Sequence, residues 1–318
     1  VTIRGPKEAA KVRATDPDRI VPSRHVYRWK PGDGLGSEPV EKVRWCVQGH
    51  HDPDLFELRR HAPTPQTSSI NTFLQVAASL MRQVSIADAK TAFMQTSTEI
   101  SAQDRPKGKL YAEIPPGGIP LEDGTWVEEG SIIQLNAAVY GLDNAPAAWR
   151  NTFVKALEDL DYRRSCYCPC TFVLMRRDGP AGHVLVEVDD IGSHGNAEHD
   201  AKMEQLQRTF KFVKWKSIYR GESDYAGRTI MQHSDYGISV HQAKFVEERL
   251  APIEIARGRK SDKKAETTPG EKSQLRAVLG ACNWVQRETR ADVSGSVSYT
   301  HLRAHETDSY LVCRLLLE

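Results

Sequence analysis

Three aspartates carry the most chemistry in this chain. Asp189 and Asp190 stand side by side in "HVLVEVDDIGSHG", residues 183 to 195, between two runs of strand-forming residues, and Asp88 closes the stretch "QVSIAD". Adjacent carboxylates repel one another unless a cation sits between them or solvent screens them. If the strand ending at Asp88 neighbours the Asp-Asp hairpin in one sheet, Asp88 and Asp189 project together. They would then hold one or two hard divalent cations through carboxylate oxygens. Two magnesium ions held in this way activate an attacking hydroxyl and stabilise a leaving pyrophosphate, the chemistry of nucleotidyl transfer. Taken alone, a paired-aspartate turn is more often a solvated hairpin tip.

The elements that must position these residues are legible from periodicity. Val84, Ile86 and Asp88 alternate with Ser85 and Ala87, which is the pattern of a short strand. "TFVLMRRDGPAGHVLVEVDD" reads as two strands joined by a Gly-Pro turn, and residues 24 to 50 as a hairpin around a turn rich in glycine and proline. Ile70, Phe73, Leu74, Ala77 and Met81 recur at helical steps, with Ser68 or Ser69 available as a cap. Pro146, Trp149, Phe153, Leu157 and Leu160 mark a second helix with proline in its first turn. Late helices are expected around Phe245 to Leu250 and Leu275 to Val285. The fold class is α+β.

Composition bounds the setting. The chain has 318 residues, 39% of them hydrophobic, enough for two or three cooperating subdomains around a real core. Forty-three basic residues against forty-two acidic ones give a net charge of +1, so affinity for a polyanion must come from local patches. Cys46, Cys166, Cys168, Cys170, Cys282 and Cys313 lack the regular spacing of a secreted disulfide scaffold, and a reducing compartment is expected. "SCYCPC" offers alternate cysteines without a second distant pair, which argues against structural zinc. No apolar run approaches the roughly 18 residues of a membrane span, and no signal pattern opens the chain, so neither a membrane partner nor secretion is expected. It starts at valine, as a fragment of a longer polypeptide would.

The ordered set of motifs resembles the reverse transcriptase of copia-type long-terminal-repeat retrotransposons, over about residues 20 to 298. The resemblance rests on "EKVRWCVQGH", "HAPTPQTSSINTFLQVAA", "DAKTAFMQT", "KLYAEIPPG", "AVYGLDNAPAAW", "VEVDDI" and "LGACNWVQRETRADV", in that order. It implies a right-hand polymerase with palm, fingers and thumb and an antiparallel palm sheet flanked by helices. Residues 1–20, polar and mixed in charge, read from composition as a linker or frayed end, and 21–298 would be the polymerase. Within it, fingers would span about 21–83 and 108–148, palm about 84–107 and 149–220, and thumb with the start of the connection about 221–298.

The family's catalytic carboxylates fall on Asp88, Asp189 and Asp190. Asp88 and Asp189 would be the metal ligands for two Mg2+ ions, with Mn2+ as a substitute. Phe93 would set an aromatic ring against the sugar and exclude a 2′-hydroxyl. Lys42 and Arg44 would grip the triphosphate, and Asn144 would touch the nucleotide. Lys211, Lys214 and Trp215, in "RTFKFVKWK", resemble the approach to the primer grip, with alternation giving one basic and one aromatic face; a plain edge strand is the other reading. Implied partners are an RNA template, a DNA or tRNA primer, dNTPs, and the integrase and RNase H of the same polyprotein. The implied location is a cytoplasmic virus-like particle, with the DNA product reaching the nucleus.

Two positions depart from the family pattern. Glu187 stands where a tyrosine opens Y-x-D-D, on the same strand face as Asp189, where it would bind cation or repel the template-primer. "GLDNAP" replaces a lysine by Asp143 and a glutamine by Asn144. A decayed copy that binds nucleic acid without polymerising is therefore the leading alternative, and a metal-dependent phosphohydrolase the third. "ARGRKSDKK", 256 to 264, looks like a flexible basic loop, and residues 299–318 resemble a translated sequencing adaptor, to which no function is assigned.

Overall fold

The computed structural model describes residues 1–30, 38–99, 105, 108–121, 124–127, 129–255 and 266–295. The basic loop at 256–264 and the adaptor-like tail at 299–318 lie outside them. In chain order the first strands are β1 (Thr2–Arg4), β2 (Ile20–Val21), β3 (Ser23–Lys30), β4 (Val40–Val47) and β5 (Ser85–Ala89). There follow β6 (Leu110–Glu113), β7 (Ile119–Pro120), β8 (Trp126–Val127), β9 (Ile132–Leu135) and β10 (Arg163–Arg164). The chain continues through β11 (Thr171–Arg176), β12 (Gly179–Glu187), β13 (Asp190–Gly195) and β14 (Phe212–Ser217). The last three strands are β15 (Gly221–Tyr225), β16 (Arg228–Gln232) and β17 (Ile238–His241). The helices are α1 (Pro6–Thr15), α2 (Thr67–Ser79), α3 (Ala145–Asp159), α4 (Ala197–Thr209), α5 (Ala243–Arg249) and α6 (Pro269–Glu288).

Two compact units share this chain. Among the described residues the first comprises Val1–Pro65, Ala87–Ile191 and Gly195–Trp215, and the second Gln66–Ile86, Gly192–His194 and those from Lys216 onward. α2 groups with the second unit.

The first unit is organised by α3. Its residues Trp149, Phe153 and Leu157 recur four apart and pack with Phe172, Leu174, Val184, Met203 and Phe210 in one apolar cluster. Ala145 and Ala148 turn to a second cluster around Leu110, Ile133 and Val139. A helix buried on two sides needs small residues on one of them, and alanine fits. Each large side chain fully buried here contributes about 1.5–3 kcal/mol. The six-stranded sheet beside α3 has the order β10-β11-β12-β13-β5-β14. A four-stranded sheet runs β1-β9-β6-β2, and β3 pairs with β4 alone.

Residues 1–20 are not a linker or frayed end. β1 adds antiparallel to β9, with Thr2 opposite Gln134 and Arg4 opposite Ile132, and the Arg4 Nη2 donates to Gln134 Oε1 at 2.9 Å. Local polarity misled here because the partner strand lies about 130 residues away. The joint between β11 and β12 is also shifted from Gly-Pro. Arg177 and Asp178 make the turn, while Gly179 at φ +118° and Pro180 begin β12.

In the second unit β15, β16 and β17 form an antiparallel meander. The expected serine cap of α2 is absent: the N-cap is Gln66, two or three residues earlier, with no side-chain hydrogen bond there. α6 instead opens on a full capping box, Thr268 and Glu271 each accepting the other's backbone N–H.

Candidate active site

β5 lies directly beside β13, so the adjacency on which the aspartate reading depends is present. The Ala89 amide donates to the Asp189 carbonyl oxygen at 2.9 Å, tying the end of β5 to the hairpin turn. That turn is Val188 and Asp189, between the end of β12 at Glu187 and the start of β13 at Asp190. Val188 has φ +51°, a left-handed conformation that β-branched residues rarely adopt. The Trp149 indole Nε1, on α3, donates to the Val188 carbonyl at 2.7 Å and holds it there.

The turn concentrates negative charge. Burial, then Asp189, Asp88 and Glu187 in that order, pushes the Asp190 carboxyl up to about 7, while Lys214 pulls it down. Asp189 is exposed, and Asp88, Glu187 and Asp190 are half-buried. Among the described residues no three His, Cys, Asp or Glu side chains converge into a ready-made metal shell. Magnesium does not require one, since it is usually bound through one or two carboxylates completed by water and substrate phosphates. The donor set, all hard carboxylate oxygens under mutual repulsion, fits a hard divalent cation.

Arg44 reaches the same neighbourhood. Its guanidinium lies 5.4 Å from the centroid of the Tyr140 ring, which sits 5.2 Å from that of Phe93. Burial raises the Tyr140 phenol above its ordinary value; Arg44 opposes this, and Asp189 and Asp88 reinforce it. The contact depends on two glycines. Val47 N–H donates to the Tyr140 carbonyl at 2.9 Å and Gly49 N–H to that of Gly141 at 3.0 Å. A Cβ on Gly141, which has φ +95°, would collide with the Val47 carbonyl, and one on Gly49 with that of Gly141. Lys42 shares the Arg44 face of β4, two residues nearer the hairpin tip.

Other expected residues lie differently. Asn144 is only 3% exposed, and its Oδ1 is 3.5 Å from Arg105 Nη2, at the limit of a hydrogen bond. Lys211 is exposed, with its backbone clamped by Gln95: its N–H donates to Gln95 Oε1 at 2.7 Å and its carbonyl accepts from Nε2 at 2.9 Å. β14 is an edge strand. Its expected split into basic and aromatic faces does not hold, because Phe212 and Trp215, three apart, meet edge-on at 4.8 Å while Phe210 is buried at the end of α4.

Sequence reasoning missed Tyr140, although an aromatic just before the glycine of "VYGLDN" was a visible signal. It also missed a buried ionic group, in which Arg105 pairs with Asp52 and Asp54 and Arg19 Nη1 donates to Asp54 at 2.8 Å. No spacing rule joins residues that far apart.

A family model described as reverse transcriptase (RNA-dependent DNA polymerase) matches residues 10–266. The chain belongs to that family, whose members use divalent metal ions. It is 28% identical over 153 residues to the retrovirus-related Pol polyprotein from transposon TNT 1-94 of Nicotiana tabacum, over 47% of this chain and 10% of that one. To the corresponding polyprotein from transposon RE1 of Arabidopsis thaliana it is 29% identical over 179 residues, 56% of this chain and 11% of that one. Such relatives place the domain with the copia-type elements. The chain spans about a tenth of their length. Among solved structures it is similar to telomerase from Candida tropicalis in complex with a fragment of telomeric RNA, at TM-score 0.39 and 9% identity, over 77% of this chain and 43% of that one. Among the described residues no helix is long and apolar enough to cross a membrane.

Proposed function

We propose that this chain is the polymerase part of a copia-type Pol polyprotein and extends a primer 3′-hydroxyl with dNTPs, copying RNA and then DNA. The observation that carries the reading is the pairing of β5 with β13, which sets Asp88 beside the Asp189–Asp190 turn. The six-stranded sheet with α3 and α4 is read as palm, the β3–β4 hairpin as part of the fingers, and the segment after residue 220 as thumb.

Asp88 and Asp189 would hold two Mg2+ ions, which when bound lower the pKa of the primer hydroxyl and offset charge on the leaving pyrophosphate. The protein's own groups position the reactants. Lys42 and Arg44 take the triphosphate, Arg44 steered by its stack on Tyr140. Phe93, backed by Tyr140, lies flat against the sugar and leaves no room for a 2′-hydroxyl. Asn144, at the N-cap of α3, is assigned to the nucleotide pocket. Lys211, Lys214, Trp215 and Glu187 border the path of the template-primer, held mainly through phosphates. Positioning and electrostatic stabilisation supply most of the rate. The tRNA or DNA primer, a virus-like particle as location, and integrase and RNase H as neighbours belong to the same reading.

A second reading is favoured by Glu187, one of the carboxylates that raise Asp190. Its extra negative charge beside the turn suits a copy that binds nucleic acid without extending it. Primer extension on RNA with Mg2+ and dNTPs separates the two, using the full chain with Asp189→Asn and Glu187→Tyr variants. Extension that vanishes in Asp189→Asn supports the polymerase. A folded but silent parent, with activity appearing only in Glu187→Tyr, supports the second reading.

A further inference from the structure

The Gln95 side chain ties together two backbone segments beside the proposed site. Its Nε2 donates to the Lys90 carbonyl at 2.7 Å and to the Lys211 carbonyl at 2.9 Å, while its Oε1 accepts the Lys211 N–H at 2.7 Å. The Lys90 N–H donates to that same Lys211 carbonyl at 2.9 Å. β5 ends at Ala89 and lies beside β14, so a side-chain amide continues their contact past the end of the strand. It accepts from and donates to one partner residue, as a hydrogen-bonded residue of an antiparallel pair does. The segment closed in this way runs directly from Asp88 to Phe93. Within it Thr91 has φ +47° and ψ +49°, a left-handed conformation that a β-branched residue holds only when its surroundings impose it. The Gln95 bond to the Lys90 carbonyl anchors the peptide that enters this turn.

We propose that Gln95 is a positioning residue for the sugar gate, setting where the Phe93 ring stands relative to Asp88 and tying that placement to β14 on the primer side. The inference rests on the polymerase reading for the substrates, and on these hydrogen bonds for the coupling. Phe93 and Gln95 share the single turn Ala92–Gln95, and Thr96 Oγ1 donates to the Phe93 carbonyl at 2.7 Å. The ring has little freedom of its own. Tyr140 sits against it, with 5.2 Å between centroids, and Gln95 sets the backbone that carries it. A gate that tells two sugars apart by one hydroxyl works through steric contact, so a small displacement of the ring alters the choice between them. Both Gln95 contacts on the β14 side go to the Lys211 backbone, which makes the coupling independent of the lysine side chain. Movement of β14 as a primer seats is thereby passed to Phe93.

The test uses the full chain on a primer-template whose primer ends in a dideoxynucleotide, so that the next matched dNTP or rNTP binds with Mg2+ and no bond forms. 2-Aminopurine in the template reports each affinity, and thermal unfolding confirms that each variant is folded. The parent should prefer the dNTP. Gln95→Met, similar in length but without the hydrogen bonds, should narrow that preference by at least about fivefold while primer-template affinity stays within about twofold. Gln95→Glu, which keeps only the acceptor for the Lys211 N–H, should narrow it as well. Because the effect runs through Phe93, adding Gln95→Met to Phe93→Val should change the preference no further. A merely structural role weakens both nucleotides equally, and that result overturns the proposal. So does an unchanged preference in the Gln95 variants, an additive effect in the double variant, or a parent that prefers neither nucleotide. A parent that prefers the dNTP here yet extends no ordinary primer leaves the Gln95 assignment standing and removes the polymerase reading.

Discussion

The Trp149 indole donates to the carbonyl of Val188, 2.7 Å away, and so fastens the turn that carries Asp189 to a fully buried helix residue. Two distant motifs, "APAAW" and "VEVDDI", are thereby one mechanical unit. Holding Val188 at φ +51° costs about 1–3 kcal/mol, and the indole and the β5 pairing offset it. Trp149→Phe keeps a ring in the core but loses the hydrogen bond, and is expected to lower extension rate more than template binding. Val188→Gly relieves the left-handed strain and should leave melting temperature unchanged or raised. Rate assays beside thermal unfolding check both.

Phe93 and Tyr140, with ring centroids 5.2 Å apart and planes tilted by 57°, act together in the proposed sugar gate. Phe93→Val should raise incorporation of ribonucleotides relative to deoxynucleotides. Tyr140→Ala should move the ratio the same way by less, and also raise KM for dNTP because Arg44 loses its ring. Steady-state incorporation of matched rNTP and dNTP pairs reads both effects.

Much of the site was legible because it is local. Alternation found the strand at Asp88, and four-residue spacing found α3. What stayed hidden was long-range. Whether β5 sits beside β13 depends on strand pairing across about a hundred residues, which no local pattern encodes. The three-residue β1 has too little apolar character to be read as a strand without β9 beside it. The edge strand β14 defeats a period-two reading because Phe212 and Trp215 meet across three positions.

The second unit contains its own stability test. Arg228 pairs with Glu288, both almost fully buried, and Thr67 Oγ1 donates to the same carboxylate at 2.7 Å. Glu288→Gln strands the guanidinium and is expected to cost about 3–5 kcal/mol. Arg228→Met/Glu288→Leu, which removes both charges, should cost clearly less. Urea unfolding of the three proteins provides the comparison.

Cys170 makes alkaline pH destabilising. Burial, with Cys168 beside it, pushes the thiol up to about 12, and its Sγ donates to the Pro63 carbonyl at 3.2 Å. The unfolded chain releases this proton near the ordinary value of 9, while the folded chain keeps it. Between those limits the native state binds more protons, so stability falls as pH rises from about 9 toward 12 and is unaffected by this group below that window. Tyr162, raised by burial in the same direction, adds to the slope. Cys170→Ala should flatten the decline in melting temperature above pH 9. Alkylation at pH 8 should label exposed Cys166 first and reach Cys170 only on unfolding.

The central claim is that Asp88 and Asp189 share a cation, and Mn2+ binding followed by electron paramagnetic resonance tests it most directly. The full chain should bind Mn2+ in competition with Mg2+, and Asp88→Asn and Asp189→Asn, each folded, should weaken binding by at least about tenfold. Mn2+ binding that survives unchanged in Asp88→Asn would contradict it.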